Sequence, residues 1–322
     1  MQSPLKVGVI GVGAMGLAMA TNLHGKGHAV QARDVADTAI DAAAAAGIGT
    51  CKSPRELADW ADLLIVVVVN AKQIEEVLFG VDGVVKCSRD GNHIDRDNGN
   101  GNGNGNGNAP VVMLCSTVSP IDSAQFGHRL AAVGIATLDA PISGGPVRAA
   151  NGTMTLMLAG DQRIVKRLDG VLNDLASKVF FISETIGDGA KTKLVNNMLA
   201  GINLTAGAEA LALGHRLGLD RQQLFDVICA SSGASWIFED RMARALRDDY
   251  APRAQAHILT KDVGLAVDMA AGASIETPLG AAALQIFKAT IAAGLSDEDD
   301  AAVIKTIDPD FNRAKQRETS HD

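Results

Sequence analysis

Residues 5–23, LKVGVIGVGAMGLAMATNL, decide the fold. An apolar, β-branched run through Ile10 gives way to Gly11-x-Gly13-x-x-Gly16, and helix-forming residues follow. The order is strand, glycine turn, helix. A dinucleotide requires that order, because Gly11 permits the tight turn, Gly13 lets backbone approach a pyrophosphate, and Gly16 lets the helix pack on the strand. The first amides of the helix then face negative charge, which makes Ala14 and Met15 candidate contacts beside the three glycines. Asp34 closes the next strand, Ala29 to Arg33, 18 residues beyond Gly16. A carboxylate there accepts hydrogen bonds from an adenosine ribose and repels a 2′-phosphate, so the expected cofactor is NAD rather than NADP. Arg33 argues the other way, although strand alternation points it away from Asp34.

Working outward, short β-branched runs alternate with alanine-rich helical stretches as far as about residue 183. Strands are expected at Leu5–Ile10, Ala29–Arg33, Leu63–Val69, Val111–Cys115, Ile135–Leu138, Thr155–Ala159 and Val179–Ile182. Ser53-Pro54-Arg55-Glu56 and Ser119-Pro120-Ile121-Asp122 each place a capping serine before proline and an acid, the signature of a helix start. Beyond Gly187 the strand signal stops and helical periodicity continues to Ile307. The expected fold is α/β: an N-terminal Rossmann domain with a doubly wound parallel sheet (residues 1–185) and a C-terminal all-α domain for substrate binding and dimerisation (186–307). A charged, flexible tail is expected over 308–322. Residues 86–110 hold an alternating Asn-Gly tract with nothing apolar to bury, expected to be a disordered insertion.

A chain of 322 residues suits two domains, and 29 Lys plus Arg against 37 Asp plus Glu argue against nucleic-acid binding. Lys6 before an apolar run ending Ala18-Met19-Ala20 has the outline of a secretory leader, but four glycines interrupt it and the nucleotide turn explains them. The longest later apolar run, Leu63 to Val69, is too short to span a bilayer. Cys51, Cys87, Cys115 and Cys229 form no CxxC pair, which fits a reducing, cytoplasmic setting. No metal site is expected: His24 and His28 have helical spacing, but Gly25 and Gly27 break the helix such a pair would need.

Two further segments carry chemistry. Asp139-Ala140-Pro141-Ile142-Ser143-Gly144-Gly145-Pro146 follows a strand and sets a hydroxyl beside two unobstructed glycine amides, a loop able to grip a carboxylate. Taken alone it reads first as a turn, since Pro, Ser and Gly are the usual turn formers. Gly187 to Asn197 opens the long helix, with Lys193 and Asn197 four residues apart on one face and Gly201 continuing that face and leaving room. An amine and an amide so placed can hold a hydroxyl and exchange its proton. Lys191 lacks such a partner, since its i+4 neighbour is Val195. The competing reading makes Lys193 a solvated helix lysine.

Taken together, GVGAMGLAMATNL (11–23), DAPISGGPVRAANGT (139–153) and GDGAKTKLVNN (187–197) resemble the cofactor, substrate and catalytic motifs of the β-hydroxyacid dehydrogenase family. The resemblance implies a catalytic Lys193, an Asn197 that orients substrate, and a substrate carboxylate on Ser143, Gly144 and Gly145. It further implies cofactor contacts from Asn70, Thr117 and Lys261 and a small hydroxy-acid substrate; the helical second domain suits a homodimer or homotetramer, without deciding between them. SWIFEDR (235–241), TPLGAAALQIF (277–287) and SDEDDAAVIK (296–305) look closest to the L-threonate dehydrogenase branch of that family. The chain departs from the pattern at His257, where an aspartate is common, and at the Asn-Gly tract. Trp236 and Phe238 read either as cleft lining or as core.

Overall fold

The computed structural model describes residues 5–88 and 109–312. The Asn-Gly tract and residues 313–322 of the expected tail lie outside the described residues. The chain divides into two compact units, Met1–Lys193 and Leu194–Asp322.

In the first unit β1 (Lys6–Ile10), α1 (Ala14–Gly25), β2 (Ala29–Arg33), α2 (Asp37–Ala45), β3 (Gly49–Thr50), α3 (Pro54–Trp60), β4 (Leu63–Val66) and α4 (Ala71–Phe79) come first. From residue 109 onward come β5 (Val111–Leu114), α5 (Pro120–Ala131), β6 (Thr137–Asp139), β7 (Ile142–Ser143), α6 (Gly145–Ala150) and β8 (Met154–Gly160). Then α7 (Gln162–Arg167), α8 (Asp169–Leu175) and β9 (Ala176–Ser183) complete the sheet. The strand order is β3-β2-β1-β4-β5-β6-β8-β7, with β9 on the other side of β8. From β3 through β6 every pair is parallel, the 3-2-1-4-5-6 order of a Rossmann sheet. β8 runs antiparallel to both β6 and β7, so the sheet is mostly rather than wholly parallel.

The central parallel strands β1, β4 and β5 are covered on both faces, and their side chains alternate between two cores. Leu63 and Ile65 pack with Val7, Val9, Met19 and Leu23 on one face. Leu64 and Val66 pack with Ile10, Leu57, Ile74 and Leu130 on the other. Ser53 caps α3 by accepting from the Glu56 amide at 3.2 Å, and Ser119 caps α5 by accepting from the Asp122 amide at 3.1 Å, as their spacing predicts. The strand expected over Leu63–Val69 ends at Val66, since the next residues leave the sheet towards the Asn70 cap of α4.

A 29-residue helix, α9 (Asp188–Arg216), begins in the first unit. In the second follow α10 (Arg221–Cys229), α11 (Trp236–Ala245), α12 (Ala256–Gly272), α13 (Pro278–Ala292) and α14 (Val303–Ile307). Their core joins Leu204, Leu211, Phe238, Met242, Val263, Phe287 and Ile304. Phe238 is core, stacked 5.4 Å from Phe225, whereas Trp236 is exposed. Buried beside this core, Arg244 donates to Asp299 at 2.7 Å and Arg241 to Asp300 at 2.5 Å. The start of the segment expected to fray is instead packed: Asp308 is buried against His215 and Arg216, and Phe311 sits in the core. Among the described residues no helix is long and apolar enough to cross a membrane.

Candidate active site

The glycine turn leaves the carboxyl end of β1, where the Gly11 amide donates to the Arg33 carbonyl at 2.9 Å. Gly13 stands at the N-cap of α1 with no side chain capping the helix. Unsatisfied amides at a helix N-terminus attract an anion. A Cβ on Gly16 would overlap the Gly11 carbonyl oxygen, so helix and turn touch backbone to backbone there. A Cβ on Gly13 would meet nothing within 4 Å. The turn therefore has two kinds of glycine, one needed by the fold and one facing open space. Ala14 is exposed and Met15 half-buried beside it.

Asp34 folds back onto this turn: Oδ2 accepts from the Val12 amide at 2.7 Å and Oδ1 from the Ala36 amide at 2.9 Å. An uncapped helix start, an open face above Gly13 and an anchored carboxylate are what a dinucleotide would require, and the residues fit that group.

The other candidates of the first unit also follow the carboxyl ends of neighbouring strands. Asn70 comes after β4 and caps α4, its side-chain oxygen accepting from the Gln73 amide at 2.9 Å. Thr117, half-buried, comes after β5, next to Ser116, whose hydroxyl accepts from the Val68 amide at 2.9 Å. Ligands of open α/β sheets bind at this end of the strands.

Ser143 ends β7, and the backbone then turns through Gly144 at φ 136° and Gly145 at φ 71°. Side-chain-bearing residues rarely adopt such angles, so the loop's shape depends on both glycines. A Cβ on Gly145 would meet nothing within 4 Å, leaving its backbone accessible. Just upstream, Asp139 is 2% exposed, and its Oδ2 accepts from the amides of Gly187 (2.8 Å) and Ala190 (3.0 Å) at the start of α9. Burial pushes this carboxyl above its ordinary value, against the pull of those same amides.

Along α9 the two lysines part company. Lys191 is exposed and pairs with Asp188 at 2.7 Å; Lys193, the last residue of the first unit, is only 7% exposed. That is not the position of a solvated helix lysine. Asn197, one turn on in the second unit, is 9% exposed, and its Nδ2 donates to Asp262 Oδ2 at 2.7 Å. The second oxygen of Asp262 accepts from Lys261 Nζ at 2.7 Å, so one buried carboxylate on α12 ties together two of the expected residues.

Asp262 was missed by sequence reasoning. The signal for it was a charged residue at a core position, since Leu259, Asp262, Val263, Ala266 and Ala270 form the buried face of α12. Gly201 serves a different purpose from the one expected: a Cβ there would lie 2.6 Å from Val263, so the space is taken by helix packing rather than left for a ligand. His257 hydrogen-bonds through Nδ1 to the Ser296 carbonyl at 3.1 Å, the packed alternative for that residue.

Both halves of the chain are similar to known dehydrogenases. Residues 6–183 match the model described as the NAD binding domain of 6-phosphogluconate dehydrogenase, and residues 187–307 that described as NAD-binding of NADP-dependent 3-hydroxyisobutyrate dehydrogenase. The chain is 40% identical to an L-threonate dehydrogenase of Cupriavidus necator, over 93% of this chain and 95% of that enzyme. It is 36% identical to the L-threonate dehydrogenase of Escherichia coli K12, over 94% and 95% respectively. The crystal structure of a 3-hydroxyisobutyrate dehydrogenase from Salmonella typhimurium superposes with a TM-score of 0.82 at 37% identity, covering 94% of this chain and 99% of that one.

Proposed function

Because the chain belongs to the β-hydroxyacid dehydrogenase family of NAD-dependent oxidoreductases, we propose that it oxidises a small hydroxy acid, L-threonate to 2-dehydro-L-erythronate, with Lys193 as the proton acceptor. The observation that carries this reading is the burial of Lys193 on the α9 face it shares with Asn197, while Lys191 beside it is solvated and paired. The names of the relatives at 36–40% identity support the choice of L-threonate.

In this reading the substrate carboxylate lies on Ser143 and the amides of Gly144 and Gly145, which offer donors without side chains in the way. Asn197 holds the reacting hydroxyl through its carboxamide. Lys193 Nζ takes the hydroxyl proton during oxidation and returns it during reduction, and burial keeps bulk water from competing for that transfer. NAD, when bound, supplies the hydride acceptor. Gly11, Gly13, Ala14, Met15 and Gly16 would hold its pyrophosphate and Asp34 its adenosine ribose; Asn70, Thr117 and Lys261 complete the proposed cofactor set. Asp34 favours NAD over NADP, since a 2′-phosphate at the same place would meet a carboxylate.

The test is NADH formation by the purified protein with NAD and a panel of L-threonate, 3-hydroxyisobutyrate and D-glycerate. Turnover is expected to be highest on L-threonate. Lys193→Ala is expected to lose about 10²- to 10⁴-fold in kcat with NAD affinity preserved. NADH from no acid in the panel leaves a nucleotide-binding sensor, and wild-type turnover by Lys193→Ala removes the lysine from the mechanism.

A further inference from the structure

The loop beginning at Ala140 and the helix beginning at Asp188 are far apart in sequence, and one buried side chain joins them. Asp139 is the last residue of β6, and the chain passes from it through Ala140, Pro141 and Ile142 to Ser143. Both ends of this passage are tied to the sheet: the Ala140 amide donates to the Leu114 carbonyl at 2.9 Å and the Pro141 carbonyl accepts from the Met157 amide at 3.1 Å. From the same residue the carboxylate reaches across to α9, where its Oδ2 accepts from Gly187 and Ala190. The first turn of α9 is thereby fixed in rotation as well as position. A Cβ on Gly189 would lie 2.9 Å from the Asp139 carbonyl oxygen and 2.7 Å from that of Met157, so the helix start is seated on the end of β6 and the middle of β8. Ala190, one of the two donors, lies three residues before Lys193 and therefore on the same side of the helix.

Resting on the reading of Lys193 and the Ser143 loop given above, the geometry points to Asp139 as a positioning residue that sets the distance between the lysine amine and the carboxylate-binding loop. It touches neither substrate nor cofactor. Its backbone carries the loop and its side chain holds the helix, so any movement of α9 relative to β6 must first break the two hydrogen bonds from the Gly187 and Ala190 amides. Reacting groups displaced by about 1 Å can lose about 10²-fold in rate. Both amides converge on a single oxygen, which the carboxamide of asparagine also possesses; the negative charge is not needed to satisfy them.

The experiment compares Asp139→Ala with Asp139→Asn in full-length protein, using the best acid of the panel in ordinary form and deuterated at the carbinol carbon. For Asp139→Ala we expect kcat/KM for the acid to fall about 10²-fold and the deuterium isotope effect to rise, because hydride transfer becomes slower relative to the binding steps. The dissociation constant for NAD should stay within about twofold of wild type, a change of under half a kcal/mol. Asp139→Asn should recover most of the lost kcat/KM. A merely structural role would lower the active fraction while leaving KM and the isotope effect at wild-type values, and that result overturns the proposal. So does wild-type kcat/KM in Asp139→Ala. Should Asp139→Ala fail to fold, Gly189→Ala, which pushes the helix off β6 and β8 with Asp139 intact, must reproduce the raised isotope effect or the proposal falls. A wild-type protein that turns over no acid overturns the functional reading itself, and this inference with it.

Discussion

Gly13→Ala separates what the glycine turn does for the fold from what it does for a ligand. Gly13 has φ −65° and ψ −164°, angles open to alanine, and a Cβ there meets nothing within 4 Å. Losing glycine at a helix N-cap costs up to about 1 kcal/mol, while alanine recovers about 0.4–1 kcal/mol by restricting the unfolded chain. The variant should thus keep its urea midpoint, with a net change within about 1 kcal/mol. For a dinucleotide the outcome differs: the new methyl occupies the open face where the pyrophosphate would approach the backbone. Loss of one charge-assisted hydrogen bond is worth about 1.5–3 kcal/mol, which is about 10- to 150-fold in the NAD dissociation constant. Calorimetric titration with NAD beside urea unfolding reads both quantities. Gly16→Ala is the contrasting control, because its Cβ would overlap the Gly11 carbonyl oxygen and the fold itself should suffer. Wild-type NAD affinity in Gly13→Ala would refute the assignment of this turn to the pyrophosphate.

Two further outcomes follow from charge. Asp34→Ala should lower the ratio of kcat/KM with NAD to kcat/KM with NADP by about tenfold or more, one decade per 1.4 kcal/mol; an unchanged ratio in steady-state assays with both cofactors would remove Asp34 from cofactor choice. In the second unit, burial drives Asp300 up to about 7 despite Arg241. A carboxyl raised on folding contributes stability that is complete below its unfolded value near 4 and vanishes as pH rises through about 7. Between pH 5.5 and 8 the protein should accordingly lose roughly 2 kcal/mol from this group, and Asp300→Asn should flatten that slope in urea unfolding; equal slopes in both proteins would show that Asp300 does not titrate there.

The Rossmann framework was legible because its signals are local. Leu63-Leu64-Ile65-Val66 needs only its composition to read as a buried strand, and Ser53 with Glu56 only its spacing to read as a cap. The two-residue strands β3 and β7 carry no period to detect, so they were invisible. Lys193 could be singled out from Lys191 because a carboxamide, Asn197, stands one helical turn away in the sequence. The ties of Asp139 to Gly187 and of Asp262 to Asn197 bridge 48 and 65 residues, and no spacing rule reaches that far. Asp308 shows the same limit: in a charged terminal stretch it looks solvated, yet its partner His215 lies 93 residues earlier.

The polar tract lies in sequence just ahead of Val111, where β5 begins, while Gly11, Asn70 and Thr117 follow strand ends and Ser143 closes β7. In a parallel sheet these are opposite poles. Closing a connection at the entry pole costs about 0.6 kcal/mol more for each doubling of its length. Evolution can splice residues there almost without penalty, and the same junction is where an engineer would graft a tag or a reporter into this enzyme.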